Sequence, residues 1–337
     1  MFTATCDNVE VLSTPRSLNP RGTATTGRAS NTVWMMMNAN TSALDVWDDC
    51  ASDSAGPYGR QRMPDPYTQI ASAEQEVLNL LIEVLELRAA DPRQKEMRDA
   101  YLSWLSLPQD AHVLEIGCGT GAVARDVATR PNVGDVVGLD PSPVFLAKAR
   151  ELATGIPNLH FEEGDARALP YEDDRFDAVI FHTCLCHVPD PPMALREAYR
   201  VLRPNGQLAV FDGDYATTTC AVGDHDPLQA CADAAIAAFI HDRWFIRRLP
   251  ALARSAGFRI ERFDSHGYVQ TESPDYMLTL IDRGADALAN ARRIDAMLAD
   301  GLKREARRRA DTGEFFGFIA FASLIARKIS VATGASM

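Results

Sequence analysis

An apolar run that ends in Gly-x-Gly-x-Gly constrains this chain more than any other feature. Val113-Leu114-Glu115-Ile116 leads straight into Gly117-Cys118-Gly119-Thr120-Gly121. Glycines are needed where a chain turns sharply and where a ligand must reach the backbone with no Cβ in the way. Between a strand and a helix, the turn predicts a βα unit of an open sheet, with a ligand at the amino end of the helix. Dinucleotide enzymes share such a turn, so by itself it leaves the ligand open.

From His112 onward, short apolar runs alternate with helix-like segments, the pattern of βαβ units and a mostly parallel sheet. Strands are expected at 111–116, 135–140, 158–163, 176–183 and 207–213, with helices after the first, second and fourth. The helix over 191–202 is expected to end at Arg203-Pro204-Asn205-Gly206, a turn that returns the chain to the sheet. A helical stretch of about 226–256 follows, then strands at 258–270 and 315–328 around a helical insertion at 274–310. The fold class is therefore α/β, a mostly parallel seven-stranded sheet with helices on both faces.

Ahead of the sheet, Val77, Leu81, Val84 and Leu85 predict a helix over 69–88. Asp91-Pro92 starts a second helix, with Met97, Tyr101, Leu102 and Leu105 on one face. Residues 60–107 read as a helical cap and 108–330 as the main domain, with lid elements at about 215–256 and 274–310. Residues 1–44, rich in Thr, Ser, Asn and Arg, read as a disordered segment. A transit peptide and a later start at Met35, Met36 or Met37 are the alternatives; Asp7 and Glu10 sit where transit peptides avoid acid.

Charge and cysteine usage exclude several classes. The net charge of −12 opposes binding to a phosphate backbone, and the run Lys303 to Arg309 reads as a solvated helix face, so no nucleic-acid partner is expected. Seven cysteines, odd in number and irregularly spaced, make no disulfide framework and suit a reducing, cytoplasmic setting. Cys184-Leu185-Cys186-His187 lacks a second cluster with ligand spacing, so no metal is expected. No apolar run reaches the ~18 to 20 residues of a membrane span.

Two carboxylates sharpen the reading of the glycine turn. Asp140 ends the apolar run Val136-Val137-Gly138-Leu139, where it can accept hydrogen bonds from vicinal ribose hydroxyls. Glu115 stands two residues before the first glycine, a poor neighbour for a pyrophosphate and a good one for a sulfonium or an α-amino group.

Glu115 to Gly121 (EIGCGTG), Asp140, Gly164-Asp165-Ala166 and Phe176-Asp177-Ala178-Val179 resemble the successive motifs of class I, Rossmann-like S-adenosylmethionine-dependent methyltransferases. The segments His187-Val188-Pro189-Asp190-Pro191 and Glu197 to Gly206 are similar to those of the ubiquinone and menaquinone C-methyltransferase-like group. The likeness covers about residues 105–215, in the order of four motifs. It implies S-adenosyl-L-methionine as cofactor, held by Glu115, Gly117, Cys118, Gly119, Thr120, Gly121, Asp140, Asp165, Ala166 and His182. Within that set the three glycines pass under the methionine part, Thr120 meets its carboxylate, Asp140 holds the ribose, and Asp165 with Ala166 reads the adenine. His182 is bulkier than the small polar residue usual at its position; a core histidine bonded to backbone is the alternative.

Methyl transfer needs an acceptor atom held against the methyl carbon and water kept out; a base is optional. Candidates follow the fourth and fifth strands, at the carboxyl ends where open sheets bind ligands: His187 and Asp214, with Asp212 and Tyr215 beside the latter. Otherwise His187 caps the helix beginning near Pro191, and Asp214 is a turn residue. Aromatics such as Phe239, Trp244, Phe245 and Tyr276 are core residues by default, or the lining of an apolar or aromatic small-molecule acceptor site. Two other functions stay open: a non-methylating protein or partner subunit that binds the same cofactor, and an NAD-dependent oxidoreductase. The sequence assigns no oligomeric state.

Overall fold

The computed structural model describes residues 65–67, 70 and 74–329. The expectation for residues 1–44 lies outside them. Strands β1 (Ala111–Ile116), β2 (Val133–Asp140), β3 (Leu159–Glu163), β4 (Phe176–His182), β5 (Leu202–Thr219), β6 (Phe258–Gln270) and β7 (Gly317–Lys328) form one sheet in the order β3-β2-β1-β4-β5-β7-β6. Neighbours from β3 to β5 are parallel, while β7 runs antiparallel to both β5 and β6. The expected α/β class and strand number hold. Because the order reverses between β1 and β4, a crevice opens at their carboxyl ends.

The central strands are covered on both faces, which is why they are written as nearly unbroken apolar runs. Leu114 and Ile116 of β1 and Ala178, Val179, Ile180 and Phe181 of β4 have no exposed surface. The helices are α1 (Gln75–Ala90), α2 (Pro92–Leu102), α3 (Ala122–Ala128), α4 (Pro143–Leu152), α5 (Pro191–Val201), α6 (Pro227–Phe239), α7 (Phe245–Ser255), α8 (Asp275–Asn290) and α9 (Ala296–Thr312). Polar residues followed by proline start several of them: Ser142 accepts from the Phe145 N–H and Asp190 from the Met193 N–H. Asp190, not His187, is therefore the cap of α5.

Two elements differ from the sequence expectation. The stretch at 226–256 is two helices, because backbone donors of the segment between them are spent on tertiary partners. The His241 N–H donates to Asp65 Oδ2 at 2.8 Å and the Asp242 N–H to the Cys186 carbonyl at 2.9 Å. The insertion at 274–310 is helical as expected, in two helices; Arg292 between them adopts a φ of 56° and Asp295 caps the second. The fifth strand is longer than 207–213 because antiparallel pairing with β7 continues through Asp214↔Ala320 to Thr219↔Phe318. Its beginning bulges: Phe176 faces Leu202 while Ala178 faces Gln207, so the expected turn at 203–206 loops out of the ladder.

Helices α1 and α2 join the main core through Val84, Met97, Tyr101 and Leu102. Asp91 fixes the corner between them. One carboxylate oxygen accepts from the Gln94 N–H at 2.9 Å, and the other from Tyr268 Oη at 3.0 Å and Gln270 Nε2 at 2.7 Å. A helix cap thus also ties α2 to β6, on the helix that carries the buried Gln94 and Arg98.

Candidate functional site

At the carboxyl end of β1 the chain turns with Gly117, Gly119 and Gly121 at φ of 70°, 54° and 77°, backbone that L side chains rarely adopt. The Gly117 and Cys118 N–H groups both donate to the Leu139 carbonyl, at 2.7 and 3.1 Å, so the turn leans on β2. A Cβ at Gly117 would lie 2.3 Å from Cys184 Sγ, and one at Gly121 2.7 Å from the Phe161 ring. These two glycines are demanded by packing as well as by the turn.

Over this turn lies a cavity of about 370 Å³, a size that suits a nucleoside-like ligand. Glu115, Gly117, Cys118, Gly119, Thr120, Asp140, Asp165, Ala166 and His182 all line it, as does His187. Gly121 does not; it is the left-handed residue that opens α3. Asp214 does not either: its Oδ2 pairs with Arg247 Nε at 2.8 Å within continuous strand β5, so it is no turn residue.

Asp140 is 5% exposed, and its two oxygens accept the Gly119 and Ser142 N–H groups at 2.9 Å each. It therefore holds the glycine turn to the end of β2, with lone pairs left for a ligand. Burial pushes its pKa up to about 6, against the pull of those two N–H donors. Glu115 is more extreme: burial raises it to about 8, and among the described residues its Oε2 has no hydrogen-bond partner. Among those residues Gln94, 2% exposed, also leaves both amide atoms unpaired, and Thr183 its hydroxyl. All three residues line the cavity. Buried polar atoms without partners cost ~1 to 3 kcal/mol each, so their gathering around one cavity marks a place for a polar ligand.

The remaining wall is built from separate segments. Arg98 of α2 donates Nε to Asp126 at 2.6 Å, which holds its guanidinium beside Glu115 as a compensating charge. His182 is neither bonded to backbone nor free: Nδ1 lies 2.9 Å from Tyr101 Oη and the ring stacks on Phe211. Burial lowers its pKa well below the ordinary value, so it stays neutral. Asp165 sits at the exposed rim in a bidentate pair with Arg167, which lowers its pKa. Asp212, fully buried, accepts the Cys186 and Gly213 N–H groups and so fixes the loop after β4.

The sequence reading missed Gln94, Arg98, Arg88, Tyr67 and Asp65. One signal was present: Gln94, Met97, Arg98 and Tyr101 fall at i, i+3, i+4 and i+7, a single helical stripe. Two polar residues on a buried stripe announce a polar task.

Residues 114–210 match the family model described as a methyltransferase domain. A 2-phytyl-1,4-naphtoquinone methyltransferase of Thermosynechococcus vestitus is 39% identical over 119 residues, 35% of this chain and 53% of that protein. A demethylmenaquinone methyltransferase of Staphylococcus aureus is 33% identical over 127 residues, 37% of this chain and 50% of that protein. The chain thus spans about half the length of these curated relatives. Among solved structures, a candidate methyltransferase from Bacillus halodurans aligns with a TM-score of 0.51 at 22% identity, over 69% of this chain and 99% of that one. Its fold is shared. Residues 114–210 of this chain are therefore similar to a methyltransferase domain, set on a seven-stranded, mostly parallel sheet whose fold the solved methyltransferase shares.

Proposed function

We propose that the chain transfers a methyl group from S-adenosyl-L-methionine to a small aromatic acceptor of the hydroquinone type. The observation that carries this reading is the unpaired polar wall of Glu115, Gln94 and Thr183 beside a glycine turn braced by Asp140. A buried carboxylate with a raised pKa is stabilised by a cation, and the cofactor brings both an α-ammonium and a sulfonium. Gln94 offers an amide that can serve carboxylate and ammonium alike. Asp140 keeps lone pairs for ribose hydroxyls, and Asp165 and Ala166, which also line the cavity, would read the adenine edge. When bound, the cofactor supplies an electrophilic methyl carbon with a neutral thioether as leaving group.

A pyrophosphate suits this wall poorly, because Glu115 and Asp140 would both face its negative charge. The acceptor class draws on the naphthoquinone and menaquinone relatives and on an apolar stretch of cavity lined by Ile70, Leu85, Phe145 and Val188. Within the described residues no helix is long and apolar enough to cross a membrane.

Calorimetry with S-adenosylmethionine, S-adenosylhomocysteine and NADH tests the reading, together with transfer of labelled methyl to 1,4-naphthohydroquinone. The expected result is binding of the first two ligands and label in the aromatic product. Tighter binding of NADH would overturn it. A chain that binds S-adenosylmethionine and never releases S-adenosylhomocysteine would instead be a structural cofactor binder.

A further inference from the structure

His187 stands on the loop after β4, on the cavity wall, with Nδ1 2.7 Å from Asp65 Oδ2. Asp65 lies 122 residues earlier in the chain and is 6% exposed. Its two oxygens are further engaged by the Tyr67 N–H at 2.9 Å and the His241 N–H at 2.8 Å. Two segments distant in sequence, at His187 and His241, therefore converge on one carboxylate, and that carboxylate aims one imidazole. The Tyr67 ring packs against the imidazole with centroids 4.4 Å apart, which holds its plane.

With Nδ1–H donated to a carboxylate, Nε2 is the basic nitrogen. The charged and titratable groups around the ring are Asp65 and Tyr67 before α1, Asp212 on β5, Cys186 in the same loop, and Arg88 and Arg283 beyond Tyr67. Asp65 thus fixes the tautomer and the orientation of the ring. A neutral amine acceptor would gain little from such a pair, whereas a phenol or hydroquinone needs its proton removed to become a strong nucleophile.

We propose that His187 is the general base of the reaction, that Asp65 is its positioning residue, and that the acceptor presents an ionisable hydroxyl to Nε2. This rests on the methyltransferase reading above. The acceptor O–H bond breaks, its electron pair stays on oxygen, and the proton forms a new N–H bond at Nε2. The electron pair of the oxygen, or of a ring carbon conjugated with it, then forms the bond to the methyl carbon as the C–S pair returns to sulfur. Attack through carbon gives a ring ketone, which loses its ring proton to water while a proton from water restores the hydroxyl. The imidazolium returns its proton to solvent, and no oxidant or reductant is consumed.

The test uses the full chain and its His187→Gln and Asp65→Asn variants, with labelled S-adenosylmethionine and 1,4-naphthohydroquinone kept reduced by dithiothreitol. Expected are cofactor affinities within about twofold of the parent and a kcat lower by ~10² or more for His187→Gln. The acidic limb of kcat/KM against pH should vanish in His187→Gln, and Asp65→Asn should lower kcat because the ring loses its fixed tautomer. Nitrogen-15 NMR of the histidines with S-adenosylhomocysteine bound gives a readout free of turnover: His187 should be the Nδ1–H tautomer, and lose that preference in Asp65→Asn. An Nε2–H tautomer, an unchanged acidic limb, or methylation of amines in place of hydroxyl-bearing aromatics would overturn the proposal. If the parent chain binds no S-adenosylmethionine, it is the methyltransferase reading that fails.

Discussion

Along α9, Lys303, Arg307, Arg308 and Arg309 each meet a carboxylate, from Asp286, Asp282, Glu305 with Glu314, and Asp226 with Glu305. Around the cavity the opposite holds: Glu115, Gln94 and Thr183 keep buried polar atoms with no partner among the described residues. The helix has the denser charge and the cavity the less satisfied one. Paired surface charge is solvated and worth little, while an unpaired buried group carries a cost that a ligand can remove. What marks a site is unmet demand, and a run such as KREARRR has none.

The largest effect that would sharpen this contrast is expected from Asp140→Ala. Losing charged hydrogen bonds to the ribose and the brace on Gly119 should weaken cofactor binding by ~1.5 to 3 kcal/mol, measured by calorimetry on the folded variant. Unchanged affinity would break the assignment of this wall.

Glu115→Gln should weaken binding about tenfold, through loss of a charged partner for the cofactor's cations. It also carries a pH signature. Because Glu115 is raised from the usual 4.5 to about 8 in the folded protein, the free protein's stability from this group is full below about 4.5 and is lost as pH rises through 8. Denaturant titrations at pH 6 and 8 should show a fall in the parent that is smaller in the variant. Asp140, raised to about 6, adds a slope of the same sign that persists in both proteins. A cationic ligand pulls the proton off Glu115, so cofactor affinity should rise with pH toward 8, with proton release visible as a buffer-dependent binding enthalpy.

Gln94→Leu is expected to separate stability from function. Removing two unpaired buried amide atoms should stabilise the free protein by ~1 kcal/mol while cofactor affinity falls about threefold. A variant less stable than the parent would mean that the amide is satisfied within the protein. The smallest effect belongs to α9: Arg307→Ala, which removes a half-exposed pair with Asp282, should change stability by less than ~0.5 kcal/mol and leave cofactor binding alone.

Much of the sheet was legible because its strands are local patterns. Apolar runs bounded by turns gave β1 to β4 and β6 to within a few residues, and the glycine turn with Glu115 and Asp140 is contained in two consecutive strands. Helix breaks were less legible, since the interruption at 240–244 depends on Asp65 and Cys186 taking its backbone donors. The same holds for His187, whose partner could not be read from its neighbours in sequence.

The sequence by itself determined the order of strands and helices, the left-handed glycine turn, and the carboxylates at the ends of β1 and β2, because each follows from side-chain period and backbone sterics over a few residues. Only the tertiary structure decided which polar groups would meet and which would be left wanting. Burial without a partner is a property of the packed interior: Gln94 arrives from α2, Thr183 from the loop after β4 and Asp65 from before α1, and nothing local to any of them specifies the meeting.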